Sequence, residues 1–74
     1  MTAWGVVLFH TTSDAFRAEK TLARAGLPAK LVPTPREFSS DCGLALRFSW
    51  PEASRVRGLL QEAGISPDGL RELA

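Results

Sequence analysis

One cysteine, Cys42, and one histidine, His10, are the only thiol and imidazole in this chain. A structural zinc site takes four such ligands and a catalytic one three, so no metal centre is expected. A single cysteine forms no internal disulfide, whereas small secreted domains normally carry several. The reducing cytoplasm is therefore the expected compartment. Charge of one sign is missing as well: nine Lys and Arg against eight Asp and Glu leave a net charge of +1. Nucleic-acid-binding domains usually show a strongly basic face, so no nucleic-acid partner is expected. No apolar run approaches the ~20 residues of a membrane span, and Met1-Thr2-Ala3-Trp4 lacks the charged and apolar regions of a signal peptide. No glycine-rich phosphate loop is present. Gly64 and Gly69 are isolated punctuation, and no cofactor is expected.

What is present is ordinary globular composition, 45% hydrophobic and 23% charged over 74 residues. That length reads as a single domain spanning residues 1–74, which must use nearly all its apolar residues for one core. Gly5-Val6-Val7-Leu8-Phe9 is a continuous apolar run, the mark of a central strand buried on both faces. His10-Thr11-Thr12-Ser13-Asp14 supplies helix-start chemistry, with hydroxyls to cap backbone N–H groups and an acid in the first turn. The helix that follows places Ala15, Ala18, Leu22 and Ala25 on one stripe and ends at Gly26. Ala29 to Val32 reads as a strand stopped by Pro33 and Pro35, hence at a sheet edge. Leu44, Leu46 and Phe48 alternate with Ala45 and Arg47, a third strand. Ser49-Trp50-Pro51-Glu52 fits a capping box with proline inside the first turn. Ala53, Val56, Leu60 and Ala63 then form the inner stripe of a second helix, ended by Gly64.

The two halves repeat weakly. Ala25-Gly26-Leu27 matches Ala63-Gly64-Ile65, and at the same offset Leu22 matches Leu60, Arg17 matches Arg55 and Ala15 matches Ala53. Two strand–helix–strand halves give βαββαβ, a ferredoxin-like α+β sandwich with an antiparallel sheet and two helices on one face. The fourth strand would run from about Leu70 to Leu73, though Ser66-Pro67-Asp68 could equally cap a short C-terminal helix. Because Val6 to Phe9 are apolar on both faces, the sheet face without helices is expected to meet a second copy, giving a homodimer.

The stretch from Pro33 to Gly43 is far longer than the two residues a hairpin needs, and long connections tend to carry function. In the expected topology the third strand lies between the first and second. Cys42 should then meet His10, Thr11, Thr12 and Ser13 at the start of helix one, with Arg36, Ser39 and Ser40 supplied by the loop. Helix N-termini and nearby cations lower a cysteine pKa from about 8.5 to as low as ~3.5–7.5, which favours a reactive anion. The other reading of Cys42 is a small core hydrophobe, since free cysteine is among the most buried residue types. His10 is either a hydrogen-bond partner or base for Cys42 or a solvated residue at a strand end. Arg36 pairs either with an anionic sulfur species or substrate, or in a salt bridge with Glu37, Asp41 or a partner. Ser39 and Ser40 either join the site or close the loop on its own backbone. Gly43 is expected to provide a φ > 0 turn into strand three.

Pro33-Thr34-Pro35-Arg36-Glu37, Ser39-Ser40, Cys42-Gly43 and Ala45-Leu46-Arg47 resemble the signature of a family of small bacterial selenium/sulfur carrier-like domains. Asp14-Ala15, Ala18-Glu19-Lys20 and Ala25-Gly26-Leu27-Pro28 are similar to it too, so the resemblance covers roughly Val6 to Ile65. It implies a cytoplasmic protein whose cysteine takes sulfur or selenium from a cysteine desulfurase-like or selenium donor enzyme and passes it to an acceptor protein. By position the resemblance carries over Cys42 as the carrier, with Arg36, Ser39, Ser40 and Gly43 as its setting. Two functions of different class fit these residues. One is a thiol carrier, placed ahead of an enzyme with its own turnover because no general base is assured. The other is a non-covalent adaptor or small-anion-binding module that uses the same Arg36–Gly43 loop.

Overall fold

The computed structural model describes residues 3–38 and 42–73. The chain runs β1 (Trp4–Leu8), α1 (Thr12–Arg24), β2 (Ala29–Pro33), β3 (Leu44–Ser49), a short 3-10 turn (Trp50–Glu52), α2 (Ala53–Glu62) and β4 (Gly69–Glu72). The sheet order is β2-β3-β1-β4, with every neighbouring pair antiparallel. The protein is thus an α+β, ferredoxin-like sandwich, with β3 between β1 and β2 as the repeat implied. The proline-terminated β2 lies at one edge and β4 at the other. A strand, not a helix, closes the chain.

Period-two alternation sorts the sheet into two faces. Val7 and Phe9 of β1 and its end, Leu46 and Phe48 of β3 and Leu70 of β4 join Ala15, Ala18 and Leu22 of α1 and Val56 and Leu60 of α2 in the main core. Both helices therefore cover the same face. Each fully buried Val, Leu or Phe there contributes about 1.5–3 kcal/mol of transfer free energy. The opposite face holds a smaller cluster of Val6, Leu8 and Ala45, packed by Val32, Phe38 and Leu73. Val6 and Leu8 are buried within one copy of the chain. Part of the cover expected from a second copy is thus supplied by the long loop and by the segment after β4.

The repeat becomes a reciprocal clasp between the helices. Arg17 Nη2 donates to the carbonyl of Ala63 at the end of α2, and Arg55 Nη2 donates to the carbonyl of Ala25 at the end of α1, both at 3.1 Å. Each arginine is also paired with an acid three residues before it, Asp14 and Glu52 respectively. Each helix C-terminus leaves carbonyls without intrahelical partners and carries partial negative charge, which a guanidinium satisfies. Both helices then turn through a left-handed glycine, Gly26 at φ 75° and Gly64 at φ 73°, the conformation glycine adopts without a Cβ penalty.

One local expectation is corrected. Thr11 caps α1 by accepting from the Asp14 N–H at 3.1 Å, but Ser49 makes no side-chain cap bond. Pro51 sits inside the tight 3-10 turn, and Glu52 pairs with Arg55 on the outer side of the helix instead of reaching back. Trp50 tilts against Phe48, ring centroids 5.9 Å apart, over a Gly5 backbone that leaves no room for a Cβ.

Candidate functional site

Cys42 lies two residues before β3 and continues the inward alternation of Leu44, Leu46 and Phe48. Its side chain accordingly enters the main core and is only 2% exposed. Of the two readings of Cys42, reactive anion and small core hydrophobe, this burial is that of the second. The sulfur nevertheless sits where the topology placed it, at the start of α1: Thr12 Oγ1 is 3.8 Å from Cys42 Sγ, across 30 residues of sequence. From the other side the Leu44 backbone N–H donates to Sγ at 3.4 Å. Thr12 is the first residue of α1, so the positive end of the helix dipole faces the same corner.

The neck of the loop is held by a residue the sequence reading did not single out. Thr34 Oγ1 donates to the Cys42 carbonyl at 2.9 Å, and the Thr34 N–H donates to the Gly43 carbonyl at 3.0 Å. Thr34 stands just past β2 between two prolines that cannot donate, and its hydroxyl and N–H tie the end of that strand to the Cys42–Gly43 backbone. A hydroxyl flanked by prolines opposite a cysteine–glycine pair was the available signal. Beyond it the Phe38 N–H donates to the Pro35 carbonyl at 3.0 Å. That turn carries Phe38 to the far face of the sheet. The loop therefore straddles the sheet, with Cys42 on the helix side and Phe38 on the other.

The remaining expected residues divide. His10 is exposed, and its Nδ1 faces the Asp68 carboxylate at 3.8 Å. Asp68 precedes β4, which lies on the opposite side of β1 from β3. Strand order thus turns the imidazole toward β4, where an exposed pair of this kind is worth ~0–1 kcal/mol. Ser13 is exposed on the first turn of α1. Arg36 is exposed, and among the described residues it makes no ion pair. Gly43 has no positive φ, since Gly26 and Gly64 alone among the described residues adopt one, and a Cβ at 43 would meet open space. The left-handed turn expected there is not formed. Ser39 and Ser40, together with Asp41, lie outside the described residues. Among the described residues no group of three or more His, Cys, Asp or Glu could hold a metal ion.

Fold and site together define a small ferredoxin-like domain with one thiol seated at a helix N-terminus beside a long loop. The chain belongs to the family described as "Putative Se/S carrier protein-like", whose model matches residues 5–72. No curated protein and no solved structure matches the chain. A carrier family implies partner proteins. Among the described residues no helix is long and apolar enough to cross a membrane.

Proposed function

We propose that this protein is a thiol carrier of the cytoplasm, in which Cys42 accepts a sulfane sulfur or selenium atom and hands it to an acceptor protein. The observation that carries the reading is the polar setting of Cys42 Sγ, which accepts from the Leu44 N–H at 3.4 Å and lies 3.8 Å from the Thr12 hydroxyl, at the head of α1. Hydrogen-bond donors and a helix N-terminus stabilise an anionic sulfur, whether thiolate or persulfide. The Cys42 thiolate attacks the terminal sulfur of a donor persulfide. A new S–S bond forms on Cys42, the old one breaks, and the donor cysteine leaves as thiolate. The acceptor thiol repeats the exchange on the terminal sulfur, so neither metal nor second cysteine is needed in this chain. Selenium follows the same displacement as a selenosulfide. Arg36, Ser39, Ser40 and Gly43 belong to the loop that lets this sulfur engage each partner. Ser13 completes the polar first turn, while His10 has no part in the exchange.

Burial of Cys42 favours one other reading, a non-covalent adaptor in which the loop docks on a partner and Cys42 only packs. Intact-mass analysis separates the two. After incubation with a cysteine desulfurase and either cysteine or selenocysteine, the carrier gains one sulfur or selenium atom from the enzyme-bound persulfide or its selenium analogue and loses it to reductant. A Cys42→Ser variant with unchanged circular dichroism gains none. If that variant supports the cellular function as well as wild type does, the carrier reading is wrong.

A further inference from the structure

The helix-free face of the sheet carries a row of like charges. Lys30 on β2 stands directly opposite Arg47 on β3, Arg47 stands opposite Val6 on β1, and Val6 stands opposite Arg71 on β4. Val6 belongs to the cluster on that face, and period-two alternation puts Lys30, Arg47 and Arg71 beside it. Among the described strand positions of this face, every charged residue is basic; Glu72 falls on the other parity. Like charges directly opposite one another destabilise a sheet. A row of three with no acid in it therefore costs the free protein stability, and an anionic partner would offset that cost.

Two of the three cations are held in place. Arg47 lies over the Trp4 ring, 4.8 Å from its centroid, and its Nε is buried with no hydrogen-bond partner among the described residues. Arg71 Nη1 donates to the Leu70 carbonyl at 3.0 Å. Its guanidinium lies over Gly69, where a Cβ would approach Nη1 to 2.9 Å. Two long side chains are thereby ordered before any partner arrives, Arg47 against Trp4 and Arg71 along its own strand against Gly69, which lowers the entropy lost on binding.

We infer that this face docks an acidic helix of a partner protein, laid across the strands along the Lys30–Arg47–Arg71 row. Neighbouring strands are about 4.8 Å apart, so the backbone positions of Lys30, Arg47 and Arg71 stand at about one and two further spacings. A helix rising ~1.5 Å per residue places carboxylates on one face at about 6 and 16 Å when they occur at positions i, i+4 and i+11, spacings that long Lys and Arg side chains can reach. Single-stranded nucleic acid fits the face less well. Such platforms need aromatic faces free to stack on bases, whereas Trp4 is taken by Arg47 and Phe38 packs on Val6, Leu8 and Ala45. The inference does not depend on Cys42 carrying a chalcogen, and its test leaves the thiol out.

The probe is a synthetic helical peptide with glutamates at i, i+4 and i+11, titrated into Cys42→Ser protein and followed by amide NMR shifts. The controls are a peptide of identical composition with its glutamates on different faces, and a dodecamer of thymidylate. The patterned peptide should bind about fivefold tighter than its isomer, shift the amides of residues 30, 47, 6 and 71, and weaken with salt. A Lys30→Glu/Arg71→Glu variant should lose that binding by tenfold or more. Lys30→Glu alone should raise the urea midpoint, because the new carboxylate faces Arg47. Lys30→Gln/Arg71→Gln serves if the reversed variant does not fold. Equal binding of the two peptides, undiminished binding by the variants, or tighter binding of the oligonucleotide would overturn the assignment.

Discussion

Removing the Thr34 hydroxyl tests whether the loop opens by itself to expose Cys42. The bond from Thr34 Oγ1 to the Cys42 carbonyl is 2.9 Å long and part-buried. Thr34→Val deletes the donor while keeping the branched shape, and leaves that carbonyl with one partner fewer. A typical intramolecular hydrogen bond contributes about 1 kcal/mol net, which is about a fivefold change in an opening equilibrium. The Thr34 N–H to Gly43 carbonyl bond survives, so the neck is loosened and not abolished. With Cys42 2% exposed, iodoacetamide reacts only through an opened form, and its rate reports the population of that form. The wild-type protein should alkylate far more slowly than the unfolded chain, and Thr34→Val about fivefold faster than wild type. Under local opening, both rates should stay nearly flat in low urea. If instead they rise with urea along the slope of global unfolding, Cys42 opens only with the whole core. The carrier reading would then have no route from the buried sulfur to a partner.

Two further outcomes test the frame that holds this corner. Arg17→Ala and Arg55→Ala should each cost about 0.5 kcal/mol in urea unfolding, a value reduced because both side chains are more than half exposed; near-equality is the point, since each caps the other helix through the same geometry. Gly5→Ala should cost about 1–3 kcal/mol by overpacking, because its Cβ would drive into the Trp50 ring, and near-ultraviolet circular dichroism should show Trp50 displaced from Phe48.

Much of the fold was legible in the residues because its signals are local. The apolar run Val6–Phe9 belongs to a strand whose end is covered on both sides. Gly26 and Gly64 stop the helices, Pro33 marks the edge strand, and the Arg17/Arg55 correspondence is a contact made twice. The Ser49 capping box failed because Pro51 tightens the chain into a 3-10 turn, and a side-chain motif does not report backbone pitch. Burial of Cys42 was also readable, since 42, 44, 46 and 48 continue one alternation.

The amino-acid sequence by itself determined the first three strands, both helices, the repeat, and the meeting of Cys42 with the head of α1, because periodicity, caps and topology constrain each of these. Tertiary structure alone decided the rest. His10 turns to Asp68 because β4 and not β3 flanks it on that side. Phe38 crosses to the helix-free face because the Pro35 turn sends it there. Lys30, Arg47 and Arg71 fall into one row only through cross-strand register. Register joins residues far apart in the chain, and no local pattern carries it.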